Sequence, residues 1–214
     1  QALNRLPWTE NMQAKYDLRR MLVFYAKQVP FNLFSLMDMD YVSSQTYQFN
    51  HGHEMNYFGL LAAREEPSDK TVIYAKPSYY ATQNVLAIFD DSFAPMTNVT
   101  YTVSVGNSLA KYAYKNKSTG AQILALWFNG AMPSDSNAKT LVDITPSGMH
   151  FNDPVYVDLL TGKVFALSKS PDDMSFKDIP LYDSPILIAE RAALPITMKG
   201  VRYCKDCEGH TTDR

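Results

Sequence analysis

Hydrophobic residues recur at helical spacing in two segments of the chain. The first segment, residues 11–29, begins after a predicted N-cap at Thr9 and is stopped by Pro30. Its apolar positions share one helical face: Leu18, Met21, Leu22, Tyr25 and Val29. The second segment begins at Lys76-Pro77 and ends at Asp90-Asp91. The pattern predicts two amphipathic helices.

Strands are predicted between the helices and throughout the second half. Residues 31–37 are short, aromatic and apolar, as in a buried strand, and a long polar loop follows over residues 41–54. From about residue 98 apolar and polar positions alternate, with Thr161-Gly162 as a hairpin turn and Trp127 in the predicted core. The strands predicted there are residues 99–105, 111–115, 122–128, 139–145, 155–159, 163–167 and 186–189. They indicate an antiparallel β-sandwich.

The order of several motifs resembles the C-terminal portion of clan-A glycoside hydrolases, whose TIM barrel precedes a small β-sandwich. Thr9-Glu10-Asn11-Met12-Gln13-Ala14-Lys15-Tyr16 is similar to the start of their seventh barrel helix, and residues 31–40 are similar to their eighth strand. Lys76-Pro77-Ser78-Tyr79-Tyr80-Ala81 is similar to the start of the helix that closes the barrel. Residues 121–128, 156–164 and 179–186 resemble the accessory sandwich. The resemblance runs from about residue 9 to residue 190.

This resemblance implies a fold class of α/β plus all-β, in which the C-terminal remnant of a (β/α)8 barrel is followed by an antiparallel β-sandwich. The implied domains are residues 1–95 as part of the barrel, 96–200 as the sandwich and 201–214 as a polar tail. One strand and two or three helices do not close a barrel, so the remaining units are expected from an N-terminal segment of the same protein or from a copy of this chain.

The resemblance also implies hydrolysis of O-glycosidic bonds by an acid/base and a nucleophile, two carboxylates about 5 Å apart in a retaining enzyme. In the family both positions precede the part that this chain resembles. Glu10 is a candidate nucleophile because Trp8-Thr9-Glu10 matches the end of a seventh strand. No apolar strand precedes it, however, and the helix dipole alone favours a glutamate in a first turn. We therefore expect the chain by itself to lack the catalytic pair.

Candidate saccharide-binding residues follow the strand at residues 31–37. Asp38 and Asp40 stand at its C-terminal end, where barrel enzymes place substrate-facing groups, and the alternative is an ordinary salt bridge. Tyr41 is a candidate for stacking on a sugar ring, and His51 and His53 in the loop are candidates for sugar contact. These five residues are the predicted local contribution to a sugar site.

No metal or cofactor is predicted. His51 and His53 have the i, i+2 spacing of two ligands, but the sequence offers no third ligand within reach. Cys204 and Cys207, with His210 nearby, leave open a redox pair, half of a zinc site, a local disulfide or two idle thiols. Their position in a polar tail favours the last two readings.

Composition and charge exclude several classes of function. The chain is 46% hydrophobic and 20% charged, as in globular proteins, and 20 Lys+Arg against 22 Asp+Glu do not indicate a nucleic-acid or anionic-membrane partner. No apolar stretch approaches the roughly 18 residues of a membrane helix. Asn98 and Asn116 are glycosylation candidates, which favours an extracellular or luminal location.

Two functional hypotheses follow. In the first, the chain is the C-terminal segment of a glycoside-hydrolase-like protein and contributes one wall of a saccharide cleft, while another segment supplies the catalytic carboxylates. In the second, the chain is a non-catalytic structural or carbohydrate-binding assembly protein derived from such an enzyme.

Overall fold

The computed structural model of the chain describes residues 8–41, 54–64, 71–106, 108–130, 132–168 and 175–195. The α-helices are α1 (Glu10–Ala26) and α2 (Pro77–Ile88), and a 3-10 helix covers Arg191–Ala193. The strands are β1 (Met39–Tyr41), β2 (Glu54–Asn56), β3 (Leu61–Ala63), β4 (Val72–Ala75), β5 (Phe93–Met96), β6 (Thr100–Val103), β7 (Leu109–Asn116), β8 (Gln122–Phe128), β9 (Thr140–Ser147), β10 (Pro154–Asp158), β11 (Lys163–Ala166), β12 (Phe176–Leu181) and β13 (Ile186–Glu190).

Local capping sets both ends of α1. The Thr9 hydroxyl accepts a hydrogen bond from the Met12 N–H at 3.1 Å, which confirms the predicted N-cap. At the other end Gln28 adopts a left-handed backbone conformation with φ of 54°, and the Lys27 N–H closes on the Val23 carbonyl. The helix therefore ends three residues before the predicted end at Val29.

Two antiparallel sheets contain most of the described strand residues. The larger has six strands in the order β11-β10-β13-β8-β7-β5, and the smaller has three in the order β12-β9-β6. Strand β10 is buried at every position, β8 at all but its two terminal positions, and β13 at all but its last position. Burial on both faces requires a layer on each side of the larger sheet.

The strand register shows what those layers are. Ala113, Leu124, Ile188 and Tyr156 are in register across β7, β8, β13 and β10, so they share one face, and Tyr114 points to the other. The Tyr156 hydroxyl donates to the Pro180 carbonyl of the smaller sheet at 2.9 Å, whereas that of Tyr114 donates to the carbonyl of Leu22 in α1 at 3.0 Å. The larger sheet thus lies between the helices and the smaller sheet.

The predicted fold class is wrong, because the described chain consists mostly of antiparallel sheets with two short helices and shows no remnant of a (β/α)8 barrel. Residues 31–37 do not form the predicted buried strand. Their strand pairing is limited to a single parallel bridge between Met37 and Leu61. The side chains of Phe34 and Leu36 are 63% and 64% exposed. An apolar run becomes a buried strand only when neighbours pair with it on both edges, and the described residues provide one neighbour.

The strand predictions in the second half are largely confirmed. The predicted strand 122–128 coincides with β8, and Trp127 is 1% exposed in the core. Thr161-Gly162 lies in the turn between β10 and β11, where Gly162 has a φ of 70° and its N–H donates to the Asp158 carbonyl. The predicted boundary at residues 95 and 96 falls inside β5, and the division into domains stays a prediction.

One hydrophobic core joins the layers, with Leu18 of α1, Val85 of α2, Leu124 of β8 and Ile179 of β12 in the same cluster.

Among the described residues no helix is long and apolar enough to cross a membrane, as the sequence led us to expect.

A buried ion pair fixes α1 against the sheets. The Lys15 ammonium is fully buried and donates to Asp183 Oδ1 at 2.7 Å and to the Ser134 and Ser136 carbonyls at 2.9 and 2.5 Å. Burial raises the pKa of Asp183, but hydrogen bonds from Lys15 and Ser134 outweigh it and hold that pKa below its usual value. One turn along, Arg19 donates to the Asp183 carbonyl at 2.8 Å.

We expect Asp183→Ala to lower the free energy of unfolding by about 3 kcal/mol or more, because it leaves the buried Lys15 ammonium without its counter-ion. The double variant Lys15→Met/Asp183→Ala should regain part of that loss, since the unpaired charge is then removed. Urea denaturation followed by circular dichroism measures both.

The matched control is Asp143→Ala. Asp143 pairs with Lys177 at 3.1 Å, but both side chains are largely exposed, so its removal should cost less than about 1 kcal/mol. Equal losses for Asp183→Ala and Asp143→Ala would contradict a structural role for the buried pair.

Candidate functional site

Asp38, the first predicted sugar ligand, is held in an internal ion pair. Its Oδ1 accepts from the Lys76 ammonium at 2.6 Å and from the Gly59 N–H at 2.9 Å, and both charged side chains are no more than 2% exposed. Lys76 also donates to the Tyr57 carbonyl at 3.0 Å. The carboxylate therefore points into the protein. Asp38 forms a salt bridge, which was the predicted alternative to sugar contact.

Backbone pairing brings these residues together. The Asp38 N–H donates to the Leu61 carbonyl and the Lys76 N–H to the Leu60 carbonyl, each at 2.9 Å. Gly59 is required here, because a Cβ at this position would lie 2.1 Å from the Asp38 nitrogen. On the other side Gln13 of α1 donates to the Gly59 carbonyl at 3.1 Å. The ion pair is thus fixed by α1, by residues 58–61 and by the start of α2.

Asp17 is a half-buried carboxyl on the same helix as Gln13. Burial raises its pKa to about 7, and the nearby charges of Arg20 and Lys76 offset part of that rise. Burial also raises the pKa of Asp38, against the hydrogen bond from Lys76. A carboxyl that titrates near neutrality has the proton affinity of a general acid, but the charges that act on Asp17 are cations rather than a second carboxylate.

Glu10, the candidate nucleophile, accepts a hydrogen bond from the Tyr74 hydroxyl at 2.7 Å. That bond is the main reason why the pKa of Tyr74 rises to about 12. Glu10 therefore joins the first turn of α1 to β4, and its catalytic role stays a prediction.

The side chains of the other predicted sugar ligands lie outside the described part of the structure. Asp40 and Tyr41 belong to β1, which pairs with β2, and their side chains are outside the described part of the structure. His51 and His53 are outside the described residues, as are Cys204, Cys207 and His210. Within the described ranges no group of three or more His, Cys, Asp or Glu is arranged to hold a metal ion.

The two glycosylation candidates differ in their surroundings. Asn98 is exposed in the bend before β6. The Asn116 amide is half-buried: its Nδ2 donates to the Ser92 hydroxyl at 2.7 Å, and its Oδ1 accepts from the N–H groups of Ser118 and Thr119. Asn116 thus supports the turn after β7, whereas the Asn98 side chain faces solvent.

A surface groove of about 590 Å³ lies between the end of α1 and the connection from α2 to β5. Its apolar lining comes from Tyr25, Val29, Phe31 and Phe93. The left-handed conformation at Gln28 turns the chain so that the residues after α1 form one wall. We refer to this feature as the Phe31 groove.

The polar side of the Phe31 groove carries both signs of charge. Asp90 accepts from the N–H and hydroxyl of Ser92, and the hydroxyl bond is the main cause of a lowered pKa, so Asp90 is ionised at neutral pH. Lys117 donates to the Asp91 carbonyl at 2.6 Å. Burial and the two aspartates raise the pKa of Tyr25 to about 12, so its hydroxyl remains a donor, here to the Asp90 carbonyl.

Some of these residues could be singled out from the sequence and others could not. Lys76 stands at the start of the predicted second helix, whereas Gly59 belongs to no predicted element. Nothing in local periodicity indicates a pairing of Asp38 with a lysine 38 positions away. Among the residues that line the Phe31 groove, Tyr25 and Val29 were predicted in the first helix, Phe31 in a strand, and Asp90 and Asp91 at the end of the second helix. Their meeting depends on the packing of α1 against β5 and β7.

Comparison with models of known protein families and with curated proteins finds no match for this chain.

The raised pKa of Asp17 predicts a pH-dependent stability. Its proton is held more tightly in the folded state, so the free energy of unfolding should fall as pH rises from 3.8 to about 7 and then stay level. Asp17→Asn should remove that slope and stabilise the protein at pH 8 by at least about 1 kcal/mol, since position 17 then no longer buries a carboxylate. Thermal denaturation across pH 4 to 8 measures the effect.

Asp178→Asn is the control, because it removes an exposed carboxylate in a backbone conformation that asparagine also adopts. A slope that survives in Asp17→Asn, or disappears equally in Asp178→Asn, would show that another group is responsible.

Proposed function

We propose that this chain is a saccharide-binding, non-catalytic part of a glycoside-hydrolase-like protein. The acid/base and nucleophile of that protein then lie outside the described residues, and this chain contributes contacts to the sugar. The observation that carries the proposal is the Phe31 groove, in which apolar rings and an ionised carboxylate line the same depression.

The chemistry of the groove matches that of a sugar. A pyranose presents C–H faces that pack on apolar and aromatic side chains, and hydroxyls that donate to carboxylates. Val29, which is 44% exposed, and Phe31 offer the first kind of surface, and Asp90 and Asp91 offer the second. The volume of about 590 Å³ lies within the range of about 300 to 1,000 Å³ that is usual for small-molecule sites. A short, uncharged oligosaccharide therefore fits the site in both size and polarity.

The pairing of the buried carboxylates with lysines favours saccharide binding over saccharide hydrolysis. Glycoside hydrolysis needs one carboxyl group to donate a proton and a second carboxylate to act on the sugar carbon or on water. Three buried or half-buried carboxylates instead neutralise lysines: Asp38 with Lys76, Asp158 with Lys139, and Asp183 with Lys15. These carboxylates support the fold and are not open to a sugar.

The proposal includes an extracellular or luminal location, since polysaccharides occur in those compartments. The exposure of Asn98 supports it, because a glycan on that side chain displaces no contact that holds the fold.

Isothermal titration calorimetry with a panel of cello-, xylo-, manno- and galacto-oligosaccharides tests the binding function. We expect at least one series to bind, and Phe31→Ala and Asp91→Asn each to weaken it about tenfold, a loss of about 1.4 kcal/mol. Leu141→Ala is the control, because Leu141 is similarly apolar and 53% exposed but lies on β9 of the smaller sheet. Binding to no member of the panel, or unchanged affinity in both groove variants, would refute the proposal.

Chromogenic aryl glycosides test the absence of turnover. The chain alone should release no chromophore above the buffer rate, because Asp38, Asp158 and Asp183 are held in ion pairs with lysines. Glu10→Gln is the diagnostic variant: hydrolysis by the wild-type chain that this substitution abolishes would make Glu10 a nucleophile and the chain an enzyme.

A further inference from the structure

Lys76 and Asp38 hold a nitrogen and a carboxyl group in contact inside the protein. Their side chains are 1% and 2% exposed, and the Lys76 Nζ lies 2.6 Å from the Asp38 Oδ1. Two unit charges away from water are costly, and transfer of one proton from the ammonium to the carboxylate removes both of them. That transfer leaves a nucleophilic amine beside a neutral carboxyl group, which are the two reactants of amide formation.

Backbone N–H groups are placed to stabilise negative charge on the Asp38 carboxyl group. The Gly59 N–H donates to Oδ1 at 2.9 Å, and the Ala63 N–H donates to the same carboxyl group. When an amine adds to a carboxyl carbon, negative charge develops on oxygen, and fixed N–H donors lower the energy of that state. The Tyr57 carbonyl accepts from the Lys76 Nζ at 3.0 Å and fixes its position. The two reacting groups are thus oriented before any reaction begins.

Asp17 lies close enough to carry protons for this pair. Gln13, one turn earlier on α1, donates to the Phe58 and Gly59 carbonyls at 2.9 and 3.1 Å, so this side of the helix lies against the segment that holds Asp38. The charge of Lys76 acts on Asp17, whose pKa burial raises to about 7. A carboxyl group with that proton affinity both accepts and donates a proton near neutral pH.

We propose that Lys76 and Asp38 join spontaneously in an intramolecular isopeptide bond, with Asp17 as the proton carrier. The Lys76 nitrogen adds to the Asp38 Cγ, and the oxyanion forms on Oδ1. The bond from Cγ to Oδ2 then breaks, and Oδ2 leaves as water. One proton of that water is already on the carboxyl group, and the other comes from the Lys76 nitrogen through Asp17. One amide bond forms, one water molecule is released, and no oxidant, reductant or cofactor takes part.

The other two described lysine–aspartate pairs with a buried member lack one of these conditions. Asp183 beside Lys15 is 18% exposed, and hydrogen bonds hold its pKa below its usual value, so it remains an ionised carboxylate that an amine does not attack. Lys139 beside Asp158 is 35% exposed, so water stabilises its ammonium form. We therefore expect the cross-link at Lys76 and at neither of these pairs.

The mass of the intact chain tests the proposal. Electrospray mass spectrometry of the full chain, denatured and reduced, should give a mass below that of the sequence by one water molecule. Peptide mapping should find Lys76 and Asp38 together in one branched peptide, and Lys76→Met and Asp38→Ala should each restore the full mass. A wild-type chain with the full mass would overturn the proposal. So would a loss of water that persists in Lys76→Met or that maps to an imide at another aspartate.

Asp17→Asn tests the proton carrier. Mass spectra taken at intervals after purification should show that the linking rate falls at least about a hundredfold, the lower end of what a positioned proton-transfer group contributes. Asp17→Glu should restore most of the rate, since it returns a carboxyl group.

The matched control is Asp143→Ala, which removes a carboxylate from the exposed pair with Lys177 and should link like the wild type. Circular dichroism confirms that each variant is folded. A wild-type rate in Asp17→Asn, or an equal loss of rate in Asp143→Ala, would overturn the role of Asp17.

Discussion

The Lys15 ammonium has to be neutralised inside the protein, and this requirement fixes the position of α1. Its partners, Asp183 and the carbonyls of Ser134 and Ser136, come from two separate connections of the sheets. A misplaced helix would leave a buried charge without counter-ion, which costs several kcal/mol. Other contacts then depend on the same helix. Gln13 donates to the Gly59 carbonyl beside Asp38, and the Leu22 carbonyl accepts from the Tyr114 hydroxyl.

How far the sequence predicts this fold depends on whether a signal is local. Strand β8 and the turn at Gly162 were predictable, because a continuous apolar run and a turn dipeptide fix both within a few residues. The end of α1 was misplaced because a left-handed Gln28 is not signalled by residue type as a glycine would be. The strand at residues 31–37 failed for a different reason, since a buried strand is defined by neighbours far along the chain.

The candidate site shows the same limit more sharply. Asp38 was predicted as a sugar ligand, with a salt bridge as the alternative, but its partner Lys76 is a tertiary contact that no spacing reveals. The carboxylate that was expected to contact a sugar is therefore held in an ion pair inside the fold. The Phe31 groove, conversely, has no motif at all because its walls meet only after α1, α2 and the sheet have packed.

The walls of the Phe31 groove come from three places in the architecture: the chain after α1, the connection from α2 to β5, and the hairpin between β7 and β8, which contributes Lys117. A molecule that fills the groove would contact the helical layer and the larger sheet at once. It would act as a brace between them, and its binding energy would add to the resistance of the helical layer to local opening. Binding in the groove and local opening of the helical layer are thus coupled, and each lowers the probability of the other.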